Sequence, residues 1–221
     1  VAKPISQRPS AGILEQRLLS LDTALSLPEV HLRSVTFHPF LFRKMLDRVQ
    51  GEARAGDLVA VYDKKGELFG HGLYNARSEI VVRMLSHEKT PPDEAFWQAR
   101  LEQANSLRQG LLRLDRVTDA YRLIHAEADG LTGLVVDRLG DVLSAEVFSL
   151  GMFQRSAQIL VMLAKAVGAR HWIVQVPDSV HGQEGFLSDP LHSDEMPNQV
   201  IVTEYGTRFR VRFEGAHKTG F

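Results

Sequence analysis

The sequence predicts an α+β protein of two domains, and three observations carry that prediction. Between residues 30 and 87, short apolar runs alternate with glycine turns around one helical stretch. Pro91-Pro92 then interrupts the chain. A second set of hairpin-like strands with one long amphipathic helix fills 118–215. A chain of 221 residues has room for one or two domains, each large enough to bury its own core.

Residues 1–29 read as an N-terminal extension. Pro4, Pro9 and Gly12 punctuate its start, and Ile13, Leu14, Leu18 and Leu19 fall at helical spacing, with Leu21 and Leu25 beyond. Pro28 stops any helix, because proline pushes the preceding residue out of helical geometry. Residues 30–88 form the first, β-rich domain. Val30–Val35 alternates as a strand does, and Phe37, Phe40, Leu41, Phe42, Met45 and Leu46 are expected to cover a short helix after His38-Pro39. The three phenylalanines are expected in the core rather than as a stacking platform. Leu58–Tyr62 is rich in strand formers, Asp63–Gly66 is a hairpin turn, and Glu67–Tyr74 returns. Gly70 and Gly72 inside that return strand predict a bulge or a close backbone neighbour. Ile80–Leu85 supplies a further strand.

Residues 89–117 are read as a connecting helix. Asp93 stands at its start, Phe96, Leu101, Ala104, Leu107 and Leu111 recur at helical spacing, and Arg100, Arg108 and Arg113 are expected to face solvent, with phosphate as the alternative. In the second domain, 118–215, Tyr121–His125 and Leu134–Asp137 read as hairpin strands around Ala126–Gly133. Asp141–Phe148 is the next strand. A helix then runs across Met152, Phe153, Ile159, Leu160, Leu163 and Val167, with Gly168 as its C-cap. His171–Val176 is a buried-strand candidate. Pro177–Gln199 reads as a long, polar, mobile loop, and Val200–Glu204 with Arg208–Phe213 as a closing hairpin.

Composition narrows the chemistry. Hydrophobic content of 44% and charged content of 24% are those of a globular chain. No apolar run approaches the roughly 18 residues of a membrane helix, and Val1–Ser6 lacks a signal-peptide core, so no membrane partner and a cytoplasmic location are expected. Cysteine is absent, so no disulfide framework or thiolate metal site is available. None of the nine histidines forms the His-x-x-x-His pair that sets two ligands on one helix face, and no metal is expected. Neither a Walker phosphate loop nor a dinucleotide-type glycine fingerprint is present. The net charge is −1, but from His31 to Arg54 the bases Arg33, Arg43, Lys44, Arg48 and Arg54 face only Asp47 and Glu52. Such a local patch suits an auxiliary RNA contact, or an ordinary solvated surface.

The densest charged set beside glycine turns is Arg122, Glu127, Asp129, Asp137, Arg138 and Asp141. These side chains can brace a face against RNA or another domain. Alternatively, Glu127 and Asp129 hold the turn through backbone hydrogen bonds while Asp137 pairs with Arg122. No catalytic residue is assigned among them.

Several ordered motifs together carry a resemblance. They are Gly56-Asp57-x-Val59, Phe69-Gly-x-Gly-x-Tyr-Asn75, Ser78-x-Ile-x-Val-Arg83, the run Arg122–Asp141, and Lys218-Thr219-Gly220-Phe221. In that order they resemble the PUA-domain-containing, S-adenosylmethionine-dependent 23S rRNA cytosine-C5 methyltransferases, departing from the usual pattern at Thr132 and Leu139. The resemblance implies a PUA-like pseudobarrel, then a small central α+β domain marked by Arg122, Glu127, Asp129 and Asp137. Residues 216–221 become a junction, with Lys218, Thr219, Gly220 and Phe221 leading toward a Rossmann-like methyltransferase domain missing from this chain. It implies RNA contact through Arg33, His38, Arg43, Lys44, Tyr74, Asn75 and Arg83. The bases would meet phosphate, and Tyr74 and Asn75 an unpaired base, unless Tyr74 is a half-buried strand aromatic. S-adenosylmethionine would serve the parent protein and not this fragment. The expected partners are 23S rRNA or a ribosomal precursor and the missing domain, and a homodimer is left open. C5 methylation of this kind uses a cysteine thiolate added to C6, and with no cysteine the chain is expected to be inactive alone. Two other readings stand beside this one: a stand-alone RNA-binding or ribosome-associated adaptor, and a protein-interaction module.

Overall fold

A computed structural model of the chain describes residues 17, 19–21 and 26–213. Most of the leucine-rich stretch of the extension, and the junction Lys218–Phe221, lie outside the described residues. The chain divides into two compact units. The first comprises 1–95, 149–155 and 178–188, and the second 96–148, 156–177 and 189–221.

The first unit is built on a six-stranded sheet of β1 (Glu29–Leu32), β2 (Phe40–Phe42), β3 (Leu46–Gln50), β4 (Leu58–Tyr62), β5 (Leu68–Tyr74) and β6 (Ile80–Ser86). Their order across the sheet is β2-β6-β5-β4-β1-β3. The outermost strands, β2 and β3, are separated along the chain only by the 3-10 turn Arg43–Met45, so the sheet must curl until its edges approach. Register shifts at His31/Leu32, Leu41/Phe42, Val61/Tyr62 and His71/Gly72 supply the bends, as bulges do. Gly70 takes φ +149, and a Cβ there would sit 2.2 Å from the Ser86 carbonyl oxygen, so a glycine is required at the bulge. Val30, Leu32, Leu41, Leu46, Val59, Val61 and Val81 fill the interior.

The helix expected over Phe37–Leu46 is not formed. Phe40–Phe42 instead pairs antiparallel with β6, and only one 3-10 turn follows. Half-buried aromatics on a pleated surface have more to gain from that pairing than from an isolated short helix. The assignment of all three phenylalanines to the core is also corrected, since Phe37 is 81% exposed and Phe42 39%.

The second unit carries a five-stranded sheet ordered β11-β10-β9-β8-β7. Its strands are β7 (Ala120–His125), β8 (Leu134–Leu139), β9 (Val142–Val147), β10 (His171–Gln175) and β11 (Leu191–His192). Strands β7, β8 and β9 form an antiparallel meander, and β10 lies parallel to β9 after a helical crossover. Helix α1 (Glu94–Asn105) runs on into the π-helical turn Ser106–Leu111. The crossover helix is α2 (Leu150–Val167); Ile159, Leu160, Leu163, Ala164 and Val167 make its buried stripe in this unit, and Gly168 at φ +69 ends it. Strands β12 (Gln199–Glu204) and β13 (Thr207–Arg212) form the expected hairpin.

Pro177–Gln199 is more ordered than its composition suggests. It holds α3 (Asp178–Glu184), whose Val180 and Glu184 are buried, and strand β11, which pairs with β10. Polar composition misled because Glu184 is buried with hydrogen-bond partners rather than solvated. No helix among the described residues is long and apolar enough to cross a membrane.

Candidate nucleic-acid interface

The charged residues of the first unit separate by what the fold does with them. Arg33 follows β1 and is exposed, 3.5 Å from Asp47. His38 is exposed, and its Nδ1 accepts from the Phe40 amide at 3.1 Å. Lys44 is exposed. Arg43 is largely committed, because its Nη2 donates to the Ala76 and Ser78 carbonyls at 2.6 and 2.9 Å and holds the turn before β6.

Tyr74, Asn75 and Arg83 do not join that surface, which corrects their expected RNA contacts. Tyr74 is 6% exposed, and burial raises the pKa of its phenol. Asn75 Nδ2 donates to the Glu184 carbonyl and to Glu184 Oε2, both at 2.9 Å. Arg83 lies over the Phe40 ring at 5.0 Å and 3.4 Å from Glu184 Oε1, with both charged side chains buried. A fully exposed Arg83 would keep its hydration; here it is spent on holding α3 to the sheet.

Other cations, some of which local charge counting missed, gather beside Arg33. A cleft of about 360 Å³ is lined by His31, Arg33, Arg48, Lys64 and Lys65, with Asp47 and Asp63 as its acids. Strand β1 places His31 in ring stacking with Tyr62 at 5.0 Å, and β3 brings Arg48 Nη2 to 3.3 Å from His31 Nδ1. The β4–β5 turn carries Lys64 and Lys65. Asp63 is turned inward to that turn, accepting from the Lys65 and Glu67 amides at 2.8 and 2.9 Å, and these bonds, led by Glu67, lower its pKa. Asp47 is shared between Arg33 and Arg48. The cleft therefore keeps a positive excess that can accept an anion. The Lys-Lys pair at a hairpin tip was the available signal, but the pairing of distant strands was needed to place Arg48 beside it.

The acid-rich motif of the second unit is a brace. Asp129 receives Arg108 fork to fork, Nη1 at 2.6 Å and Nη2 at 2.8 Å, and also the His125 amide at 2.6 Å. Glu127 Oε1 accepts from Thr132 Oγ1 and the Gly133 amide at 3.0 and 3.1 Å. Arg122 meets Asp137 across the β7–β8 pair at 2.9 and 3.1 Å, and that bond raises the arginine's pKa. Arg108, expected to face solvent, is 8% exposed. Each of these carboxylates is engaged by an arginine or by hydroxyl and amide donors, as a structural brace requires. Among the described residues no group of acids and histidines is arranged to hold a metal ion.

The start of α2 is closed by the chain's own groups. Glu184 Oε2 accepts from the Leu150 amide at 3.2 Å, Ser149 Oγ from the Met152 amide at 3.3 Å, and a Cβ on Gly151 would lie 3.2 Å from the Gly56 carbonyl oxygen.

A PUA-like domain model matches residues 32–87, which contain most of the cleft. The chain is 32% identical over 186 residues to the ribosomal RNA large subunit methyltransferase I of Vibrio cholerae, covering 83% of this chain and 47% of that protein. The proteins of the same name from Vibrio vulnificus and Aliivibrio fischeri are likewise 32% identical, over 186 and 187 residues. The chain thus spans about half the length of the curated relatives it matches. Among solved structures, SMU.776, described as a methyltransferase complexed with SAH, aligns with a TM-score of 0.60 at 15% identity, covering 83% of this chain and 47% of that one. A Streptococcus mutans structure described as a SAM-dependent methyltransferase aligns at 0.62 and 14% identity, over 83% and 48%. At that identity the likeness is one of fold. The chain carries a PUA-like domain, and its homologues include rRNA large subunit methyltransferases.

Proposed function

We propose that this chain is the RNA-recognition portion of an S-adenosylmethionine-dependent rRNA methyltransferase, holding 23S rRNA or its precursor for methylation at C5 of a cytosine. The observation that carries the proposal is the cationic cleft of Arg33, Arg48, Lys64 and Lys65, which lies inside the segment matched by the PUA-like domain. The relatives' printed name supports the substrate class. Methyl transfer itself is assigned to a catalytic domain that is not part of these 221 residues. The chain contains no cysteine to attack C6. Its own residues bind and orient. Arg33, Lys44, Lys64 and Lys65 meet phosphates, and the Arg108–Asp129 and Arg122–Asp137 pairs keep the second unit rigid.

The test is titration of the 221-residue chain with 23S rRNA fragments at several salt concentrations. Affinity should fall linearly on a log–log plot, by roughly 0.7–0.9 per phosphate contacted. Binding that is absent, or indifferent to salt, rejects the reading. Methyl transfer by the purified chain would reject the assignment of catalysis elsewhere.

A further inference from the structure

Phe37 stands 81% exposed in the loop between β1 and β2, yet it is not alone. Its ring lies 5.5 Å from Phe69 and 5.2 Å from His87, and Phe69 and His87 meet edge to face at 4.7 Å. Scattered single aromatics on a surface call for no explanation, but three mutually contacting rings, one of them almost bare, do. His87 is fixed within the group, because its Nδ1 donates to the Phe69 carbonyl at 3.1 Å. In the neutral ring Nε2 is therefore an acceptor, the tautomer being set by that bond. His38 and Phe40 add a second ring contact at 5.1 Å.

The occupant follows from the charges at the roots of the same loops. Arg33 lies four residues before Phe37, and Lys65 four residues before Phe69. Four residues span at most about 14 Å, so both connections tie the ring cluster closely to the cationic cleft. Bare π faces next to a groove of cations are the two parts of a single-strand nucleic-acid site: bases stack on the rings while phosphates meet the cations. The geometry points to a single-stranded RNA subsite on the first unit, in which an unpaired base stacks on Phe37 beside His87 and a neighbouring phosphate enters the cleft at Arg33, Lys64 and Lys65. It rests on the RNA-binding reading above and specifies which form of RNA is read, and where. Double-stranded RNA keeps its bases stacked on one another and offers none to Phe37.

The experiment uses the whole chain with a short unstructured RNA carrying one central 2-aminopurine, and the same strand annealed to its complement. Wild type should bind the single strand and quench the 2-aminopurine. Phe37→Ala, which removes an exposed ring and leaves the core intact, should weaken single-strand affinity about five- to a hundredfold, abolish the quenching, and leave the salt slope unchanged. Phe37→Trp should restore both signals. The Lys64→Ala/Lys65→Ala pair should instead lower the salt slope by about 1 to 2. Single-strand affinity unmoved by Phe37→Ala, or an equal loss for the duplex, overturns the subsite while RNA binding stands. Such silence is also the result expected if the rings cover a protein partner. Failure of the wild type to bind either RNA overturns the subsite together with the functional reading.

Discussion

Asn75 and Glu184 lie 109 positions apart and meet in the interior of the first unit, Nδ2 donating to both the Glu184 carbonyl and its Oε2 at 2.9 Å. The same carboxylate faces Arg83 and caps the Leu150 amide, so one acid ties together the end of β5, β6, the start of α2 and α3. Removing it strands Arg83 without a countercharge. Glu184→Ala is expected to cost about 3–5 kcal/mol, and Glu184→Gln less, since an amide oxygen still accepts. Urea unfolding checks this; equal midpoints for Glu184→Ala and wild type would show that the network is dispensable.

Arg108 and Asp129 make the equivalent junction in the second unit, with side chains 10% and 8% exposed. Each single alanine variant should lose about 3–5 kcal/mol, and the double variant clearly less than the sum, because the second deletion removes a charge already stranded. Arg108→Lys should not rescue, since an ammonium cannot match the carboxylate fork. The measurement is a double-mutant cycle by denaturant unfolding, and strict additivity would refute the coupling.

Gly72 has no room for a side chain. A Cβ there would stand 2.6 Å from both the Arg83 carbonyl oxygen and Val82 Cγ1, at the register shift between β5 and β6. Gly72→Ala should therefore destabilise by about 1–3 kcal/mol through overpacking. Gly66→Ala meets no atom within 4 Å, but its φ of +81 strains any side chain, so its loss should arise from the backbone alone. Melting temperatures of the two variants, with a Gly66→Asn control that tolerates positive φ better, separate packing from strain.

His71 makes the first unit sensitive to acid. It is 2% exposed, and desolvation holds its pKa below the ordinary 6.5, opposed by a hydrogen bond with the Glu88 backbone. Below about pH 6.5 the unfolded chain takes up a proton that the folded imidazole resists, so stability falls as pH drops through that region. The unfolding midpoint should be lower at about pH 5 than at about pH 7.5, and His71→Gln should flatten that difference. An unchanged pH dependence in the variant would exonerate this histidine.

Arg33→Ala and Lys44→Ala should each lower the salt slope of RNA binding by about one without moving stability. Tyr74→Ala and Arg83→Ala should do the reverse, destabilising the fold while leaving the slope intact. A full slope change from Arg83→Ala in folded protein would return that residue to the RNA surface.

Much of the architecture could be read from the chain itself. Apolar runs of strand formers bounded by turn residues placed β4, β6, β7 and β9 close to their observed bounds, helical spacing placed α1 and α2, and Gly168 ends α2 where its position implied. Those features depend on neighbours a few residues away, which a sequence states directly. The Arg122–Asp137 pair belongs with them, since it spans one hairpin. What only the tertiary structure decided was exposure. Phe37 looked like core and is bare, while Asn75, Arg83 and Arg108 looked like surface and are buried. Segments 149–155 and 178–188, which lie within the second domain in sequence, belong to the first unit. A side chain's solvation is set by whatever distant chain comes to lie over it, Glu184 over Asn75 and Arg83 in this protein. No local pattern encodes that encounter, because the partners' sequence separation carries no period of its own.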